Sequence, residues 1–208
     1  MINIKTKTMN TLETIKARRS VKHYDANFKI PQQDIDTLLE HAIESPSSFN
    51  IQHWRFVLVE DKNLRQQIRA AAWDQAQVTD ASLLFIMCAD TKAWDKSPER
   101  YWKDAPKQAQ DILVPMIKPF YNDKDQLQRD EALRSVGIAS QTIMLAAKAM
   151  GYDSCPMIGF DTDKVAEIIN LPDDHIIGMM LVVGKATQAA WPKPGQLAIN
   201  EVVIKDSF

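Results

Sequence analysis

The sequence predicts a single domain in which helices and strands alternate, and three stretches carry that prediction. Ile35, Leu38, Leu39, Ala42 and Ile43 recur at i, i+3, i+4, i+7 and i+8, the stripe of a core-facing helix. Ser82–Ala89, SLLFIMCA, is an unbroken apolar run of strand length, as expected for a strand buried on both faces. From about Asp130 to Met150 the apolar positions Ala132, Val136, Ile138, Ala139, Ile143, Met144, Ala146 and Ala147 cover too wide an arc for a helix with one solvent face. That helix is central or lies between subunits. At 208 residues with 45% hydrophobic content the chain is long enough to bury a sizeable core, and no linker divides it.

The remaining elements follow in chain order. Asn10 with Glu13 reads as a helix start with a reciprocal cap, and Leu12, Ile15 and Ala17 give that short helix an apolar side. Pro31 opens the second helix, with Asp34 in its first turn. Glu44–His53, ESPSSFNIQH, is rich in turn formers and ends it before the strand Trp54–Val59. Asp61 caps a third helix carrying Leu64, Ile68 and Ala72. Between residues 94 and 130 the tryptophans, prolines and aromatics interrupt short helical pieces, which reads as an excursion outside the core. Gly151 then caps the long helix, Ser154–Ile158 forms a short strand, Asp161 starts a helix with Val165, Ile168 and Ile169, and His175–Lys185 makes the last core strand. The tail, residues 190–208, contains the strand-like EVVIKD with nothing to cover it, so it is expected to pair with another chain's sheet.

Composition excludes several function classes. A net charge of −2 lacks the basic excess that nucleic acid or an anionic membrane surface requires, so the expected ligand is small. Met1–Met9 is polar, with no signal-type apolar run, and no segment approaches the ~18 apolar residues of a membrane span. The expectation is a cytoplasmic protein with a flexible start over residues 1–9. Cys88 and Cys155 show no metal spacing and are too few for a disulfide framework. His23, His41, His53 and His175 are scattered, so no metal site is expected.

The candidate binding stretch is Lys16–Tyr24, KARRSVKHY. In an extended segment alternate residues share a face, so Arg18, Ser20 and Lys22 converge on one anion while Arg19 points away. Arginine supplies a planar fork of donors, serine a short neutral donor and lysine a mobile charge, which together suit a phosphate. By themselves these residues also read as solvated cations at a helix end. The second candidate is the PSSFN loop, whose hydroxyls and amide can bond a ligand or simply shape turns.

Taken together, the RRS cluster, the PSSFNIQHW loop, the CPMIGF turn and the uncovered tail resemble the flavin-dependent nitroreductase family over nearly the whole chain. Within it, KPGQL near the C-terminus is similar to a compact subset associated with quinone-type electrophiles. The resemblance implies an α+β fold with a central, mainly antiparallel sheet flanked by helices, in a domain-exchanged homodimer holding two FMN at the subunit interface. The long helix would pack on its twin and the tail would cross to the partner, so neither monomer should be stable alone. It also implies that Arg18, Ser20 and Lys22 meet the flavin phosphate and ribityl chain, with the Arg19 backbone near the ring. Pro46, Ser47, Ser48 and Asn50 would reach the flavin from the other subunit. Pro156 and Met157 would pack along the isoalloxazine, with the N–H groups of Ile158 or Gly159 directed at its N5. Asp74 and Gln77 stand where many relatives carry asparagine and lysine at the pyrimidine edge, and Lys193 and Gln196 where some carry basic tail residues. A neutral glutamine in place of lysine would weaken the drive for flavin reduction.

The activity implied is FMN-dependent transfer of a hydride from NAD(P)H to a quinone or nitroaromatic by a ping-pong scheme, the two substrates sharing one pocket in turn. No catalytic side chain is required, because the chemistry is the flavin's. Trp94, Trp102, Phe120 and Tyr121 are the aromatic candidates for a pocket roof over a small aromatic substrate, or else satellite core residues. The rival readings are a flavin-binding sensor or storage protein without turnover, and flavin chemistry of the dehalogenase or flavin-degrading kind.

Overall fold

A computed structural model describes residues 9–208, so of the start expected to be flexible only Met9 is among the described residues. Four strands, β1 (Trp54–Leu58), β2 (Leu83–Asp90), β3 (Asp153–Met157) and β4 (His175–Gly184), form one sheet in the order β1-β2-β4-β3, with every neighbouring pair antiparallel. The sheet is flanked by helices, which is the expected α+β architecture. On one face lie α2 (Gln32–Ile43) and α6 (Asp125–Ala149); on the other lie α3 (Lys62–Ala71), α4 (Gln77–Asp80) and α7 (Thr162–Ile168). Among the described residues no helix is long and apolar enough to cross a membrane.

The period-2 alternation of strand side chains builds both faces from the same apolar runs. In β2, Leu83, Phe85, Met87 and Ala89 face α2 and α6, while Leu84, Ile86 and Cys88 face α3, α4 and α7. The register agrees, pairing Phe85 with Leu181 on the first face and Leu84 with Val182 on the second. Every residue of β2 is buried, as the unbroken apolar run requires. The α6 helix lies against α2 and all four strands, which accounts for its broad apolar arc. Its buried positions include Ala132, Val136, Ala139, Ile143 and Ala147.

The caps form where the sequence places them. Asn10 and Glu13 exchange hydrogen bonds at the start of α1 (Thr11–Ala17), Asp61 accepts from Asn63 and Leu64, Asp161 accepts from Lys164, and Gly151 takes a positive φ of 85° just past α6.

Three expectations change. The excursion contains a continuous helix, α5 (Lys107–Tyr121), with Pro115 and Pro119 inside it. Both prolines lie on its exposed side, where the carbonyls they leave unbonded, those of Asp111 and Pro115, can be hydrated. The EVVIKD stretch makes no strand among the described residues; Ile199–Val202 closes one short helix, α8, instead. The β-branched run has no neighbouring strand among the described residues, and the sheet expected to pair with it belongs to another chain. Finally, Leu12 and Ile15 of α1 and Ile43 of α2 are exposed, although their spacing marks an apolar face.

Candidate functional site

The cationic stretch leaves α1 as extended chain, with Arg18 at the C-cap in the β region. It is held along the sheet edge by Val21 N–H donating to Ser154 O (3.1 Å) and Asp25 N–H donating to Lys185 O (2.9 Å), and Thr187 N–H donates back to His23 O (3.0 Å). Val21 and Tyr24 enter the core, so the alternate positions Ser20 and Lys22 turn outward and Arg18 lies half-buried. The expected alternation holds from Ser20 to Lys22 and lapses on either side, where Arg18 and Arg19 are both half-buried and Tyr24 is buried at the parity of Ser20 and Lys22.

Arg18, Arg19, Ser20 and Lys22 line a cleft of about 820 Å³ together with Trp191, Lys193 and Gln196 of the tail. Residues about 170 positions apart thus meet, tied by the Arg19 guanidinium donating to the Trp191 carbonyl. Arg19 therefore lines the same cleft as its neighbours and does not point away from it as its place in the alternation implies. Four cations and no carboxylate line this space. Arg18 Nη1 is buried and has no hydrogen-bond partner among the described residues. A buried, unpartnered guanidinium nitrogen in an acid-free cleft is a site built for an anion.

The Cys155 thiol lies beside this cluster. Burial pushes its pKa up, opposed by the charges of Lys22 and Arg18 and a hydrogen bond with Ser20. It is a packed, unreactive thiol. Ser154, which pairs with Ser20 across the edge, is buried with an unpartnered hydroxyl and escaped the sequence reading.

The turn after β3 runs from half-buried Pro156 and buried Met157 to Ile158, which is 82% exposed, and Gly159. The N–H groups of Ile158 and Gly159 have no partner among the described residues. Trp73 lies across Gly159 so closely that a Cβ there would fall 2.6 Å from its ring. The Gln75 amide donates to Gly159 O at 2.7 Å. Of the two edge candidates, Asp74 is drawn to Arg69 Nε at 2.6 Å. Gln77 is buried and donates to Gln75 Oε1 at 3.0 Å. It thus reaches the turn only through Gln75. Trp73 and Gln75 were not legible, because the positive φ of Trp73 and Asp74 that brings them over the turn leaves no sequence signal.

The Pro46–Asn50 loop forms a 3₁₀ turn over Ser48–Asn50, with Phe49, Asn50 and Gln52 in the left-handed region. Ser47 Oγ accepts from Gln52 N, and Asn50 Nδ2 donates to Tyr101 O at 2.8 Å. These contacts run within the loop and to the excursion, as does the Phe49–Phe120 pair at 5.3 Å. Among the described residues none runs to the cationic cleft. The structure therefore keeps the Pro46–Asn50 loop and the cationic cleft apart within the chain.

Of the roof candidates, Trp94 and Tyr121 are buried and stacked at 6.0 Å and 17°, so they are satellite core residues. Trp102 is half-buried with Nε1 donating to Phe49 O, and Phe120 is partly exposed. Next to this cluster, burial drives the His53 pKa down to about 4 against the raising effect of the Asp90 charge. Asp90, Asp174 and His175 also approach one another as metal ligands would. The Lys96 ammonium already bridges them, 2.8 Å from Asp90 Oδ2 and 2.6 Å from Asp174 Oδ2.

Comparison with known proteins matches the Nitroreductase family over residues 15–185. Protein DrgA of Synechocystis sp. (strain ATCC 27184 / PCC 6803 / Kazusa) is 52% identical over 200 residues, covering 94% of this chain and 95% of that protein. "Putative NAD(P)H nitroreductase MhqN" of Bacillus subtilis (strain 168) is 31% identical, covering 91% and 95% of the two chains. Among solved structures, a "putative nitroreductase in complex with FMN" from Exiguobacterium sibiricum 255-15 superposes with a TM-score of 0.87 at 32% identity, covering 94% of this chain and 97% of that one. The chain belongs to the nitroreductase family.

Proposed function

We propose that this chain is an FMN-dependent oxidoreductase that takes electrons from NAD(P)H and passes them to quinone or nitroaromatic acceptors, working as a homodimer. One observation carries the cofactor assignment: the cleft gathers four cations, no carboxylate and a buried unpartnered nitrogen on Arg18. Those groups fit a phosphate, and FMN is the cofactor named for the Exiguobacterium relative. NAD(P)H is the donor named for MhqN.

In this reading Arg18, Ser20 and Lys22 hold the phosphate and ribityl chain, with Lys193 and Gln196 closing the cleft from the tail. Pro156 and Met157 flank the ring, and the free N–H groups of Ile158 and Gly159 face its N5. When bound, FMN supplies the two-electron chemistry, accepting a hydride from NAD(P)H and delivering it to the acceptor. Asp74 is paired with Arg69, and Gln77 is buried against Gln75, so neither presents a cation to the pyrimidine edge. Without a cation there, the negative charge of the reduced ring is stabilised less.

A homodimer brings the two half-sites together, Pro46, Ser47, Ser48 and Asn50 of one subunit completing the cleft of the other. Exposed apolar residues support it: Leu12, Ile15, Ile43 and Ile138 on the helices, and Trp191, Leu197, Ile199 and Ile204 along the tail. The excursion supplies the roof over the open face, with Phe120 as its exposed aromatic. Nicotinamide and acceptor then use one pocket in turn.

The test is reconstitution with FMN followed by anaerobic mixing with NADH or NADPH. Loss of flavin absorbance on adding the nicotinamide, and its return on adding a quinone, is the expected result. A protein that gains no flavin absorbance overturns the cofactor assignment; a flavin that never bleaches overturns the turnover.

A further inference from the structure

Gln75 joins two segments that are far apart in sequence. Its Nε2 donates to Ala72 O at 3.1 Å and to Gly159 O at 2.7 Å, and its Oε1 accepts from the buried Gln77 amide at 3.0 Å. All of its strong bonding positions toward the protein are therefore committed, and the acceptor on the far side is the turn after β3. Two further contacts run the same way. Asp161 N–H donates to Ala71 O at 2.8 Å, and the Trp73 ring lies across Gly159. Residues 71–77 thus strap the segment 158–161 from one side.

The strap falls on the residue with the most backbone freedom. Glycine samples many φ and ψ values, so a free Gly159 would leave its N–H and carbonyl loosely aimed. Gln75 pins the Gly159–Phe160 peptide plane through the Gly159 carbonyl, and Phe160 N–H donates to Ile158 O at 3.1 Å, which holds the next plane back and with it the Gly159 N–H; neither that N–H nor the one of Ile158 has a partner among the described residues. Preorganised donors of this kind act strongly because nothing reorganises when the ligand charge changes.

We propose that Gln75 is a positioning residue that aims the Ile158 and Gly159 N–H groups at the flavin ring nitrogen and thereby sets the balance between oxidised and reduced FMN. This rests on the cofactor reading above. An oxidised ring nitrogen accepts such a donor with its lone pair. The reduced ring carries its own hydrogen there and accepts it poorly, so a fixed donor favours the oxidised form. Loosening the turn shifts the balance toward reduced flavin.

Gln75→Glu tests the contact, and Gln75→Met, which adds no charge, separates the lost donor from the carboxylate's own repulsion of the reduced ring. The Gln75→Glu change keeps an oxygen for Gln77 to donate to, and sets a carboxylate against the Gly159 carbonyl in place of the amide donor. The holoprotein should bind oxidised FMN about tenfold more weakly and reduced FMN within about threefold of wild type, so that the oxidised-to-reduced equilibrium measured against a reference dye at pH 8 shifts about tenfold toward reduced, or about 30 mV for a two-electron couple. Protonating the new carboxyl restores a donor, so the difference from wild type should shrink on acidification. In the FMN-free protein, amide hydrogen exchange at residues 158–161 should quicken in the variant. If Gln75→Glu does not fold, Gln75→Met removes the same donor and carries the same two readouts, without the recovery at low pH. An unchanged potential, or unchanged exchange across 158–161, overturns the proposal. Failure of the wild type to bind FMN would instead overturn the cofactor reading, and the exchange measurement would still decide whether Gln75 positions the turn.

Discussion

Arg18→Ala is the perturbation that separates a phosphate site from a generic basic surface. Arg18 is half-buried, and its Nη1 is sealed from solvent with no partner. The substitution therefore removes a cation of the cleft and breaks no internal hydrogen bond of that nitrogen. A hydrogen bond to a charged group contributes about 1.5–3 kcal/mol, which corresponds to a loss of FMN affinity of about 10- to 100-fold. The fold should lose little, because no protein hydrogen bond to that nitrogen is broken; a change within about 0.5 kcal/mol is expected for the FMN-free protein. Adding Ser20→Ala should weaken FMN further while the protein stays folded. The assay is titration of the FMN-free protein with FMN and with riboflavin, which lacks the phosphate, following quenching of flavin fluorescence. FMN affinity should fall by the stated factor and riboflavin affinity should stay within about threefold, under ~0.7 kcal/mol. Equal losses for both ligands, or no loss for FMN, would refute the assignment of Arg18 to the phosphate.

Three more expectations follow from particular contacts. Lys193→Ala, which removes a cleft cation of the tail, should weaken FMN several-fold at low ionic strength and less as salt is added, because exposed charges are screened. Gly159→Ala puts a Cβ 2.6 Å from the exposed ring of Trp73, so the ring must swing aside, at little cost in stability but with a shift in tryptophan emission; an unshifted spectrum would argue against that contact. His53 is held neutral by burial, its pKa lowered from 6.5 to about 4. The unfolded chain takes up this proton below pH 6.5 and the folded chain does not, so stability falls as pH drops from 6.5 towards 4, by about 3 kcal/mol from this group. Urea unfolding across that range should show a shallower loss in His53→Gln than in wild type.

Much of the architecture was readable because period and burial reinforce each other. The stripe from Ile35 to Ala42, the unbroken run of β2 and the capping pairs at Asn10, Asp61 and Asp161 each leave a local signature with one physical cause. Ile43 shows the limit of such reasoning, since it completes the stripe yet lies exposed. Pro115 and Pro119 concealed α5, because the rule that proline breaks helices depends on where the freed carbonyls point, and only the tertiary structure turns them to solvent. The strand propensity of Val202, Val203 and Ile204 needs a neighbouring strand to be realised, and the one expected for it belongs to another chain. The cationic half of the site was legible as alternating charge from Arg18 to Lys22; its closure by Trp191 and Lys193, and the hold of Gln75 on Gly159, are long-range contacts that a one-dimensional pattern does not encode.

The central claim is that each site is shared, with the cationic cleft of one subunit completed by the Pro46–Asn50 loop of the other. Mixed dimers test it directly. One subunit carries Arg18→Ala with Ser20→Ala, and the other carries Ser47→Ala, Ser48→Ala and Asn50→Ala; each mutant alone should lose FMN. If sites are shared, the mixed dimer contains one site with both defects and one with neither, and purified heterodimer should hold about half the wild-type flavin. If each site lies within one chain, both sites carry a defect, and a heterodimer no more flavinated than its parents would contradict the account.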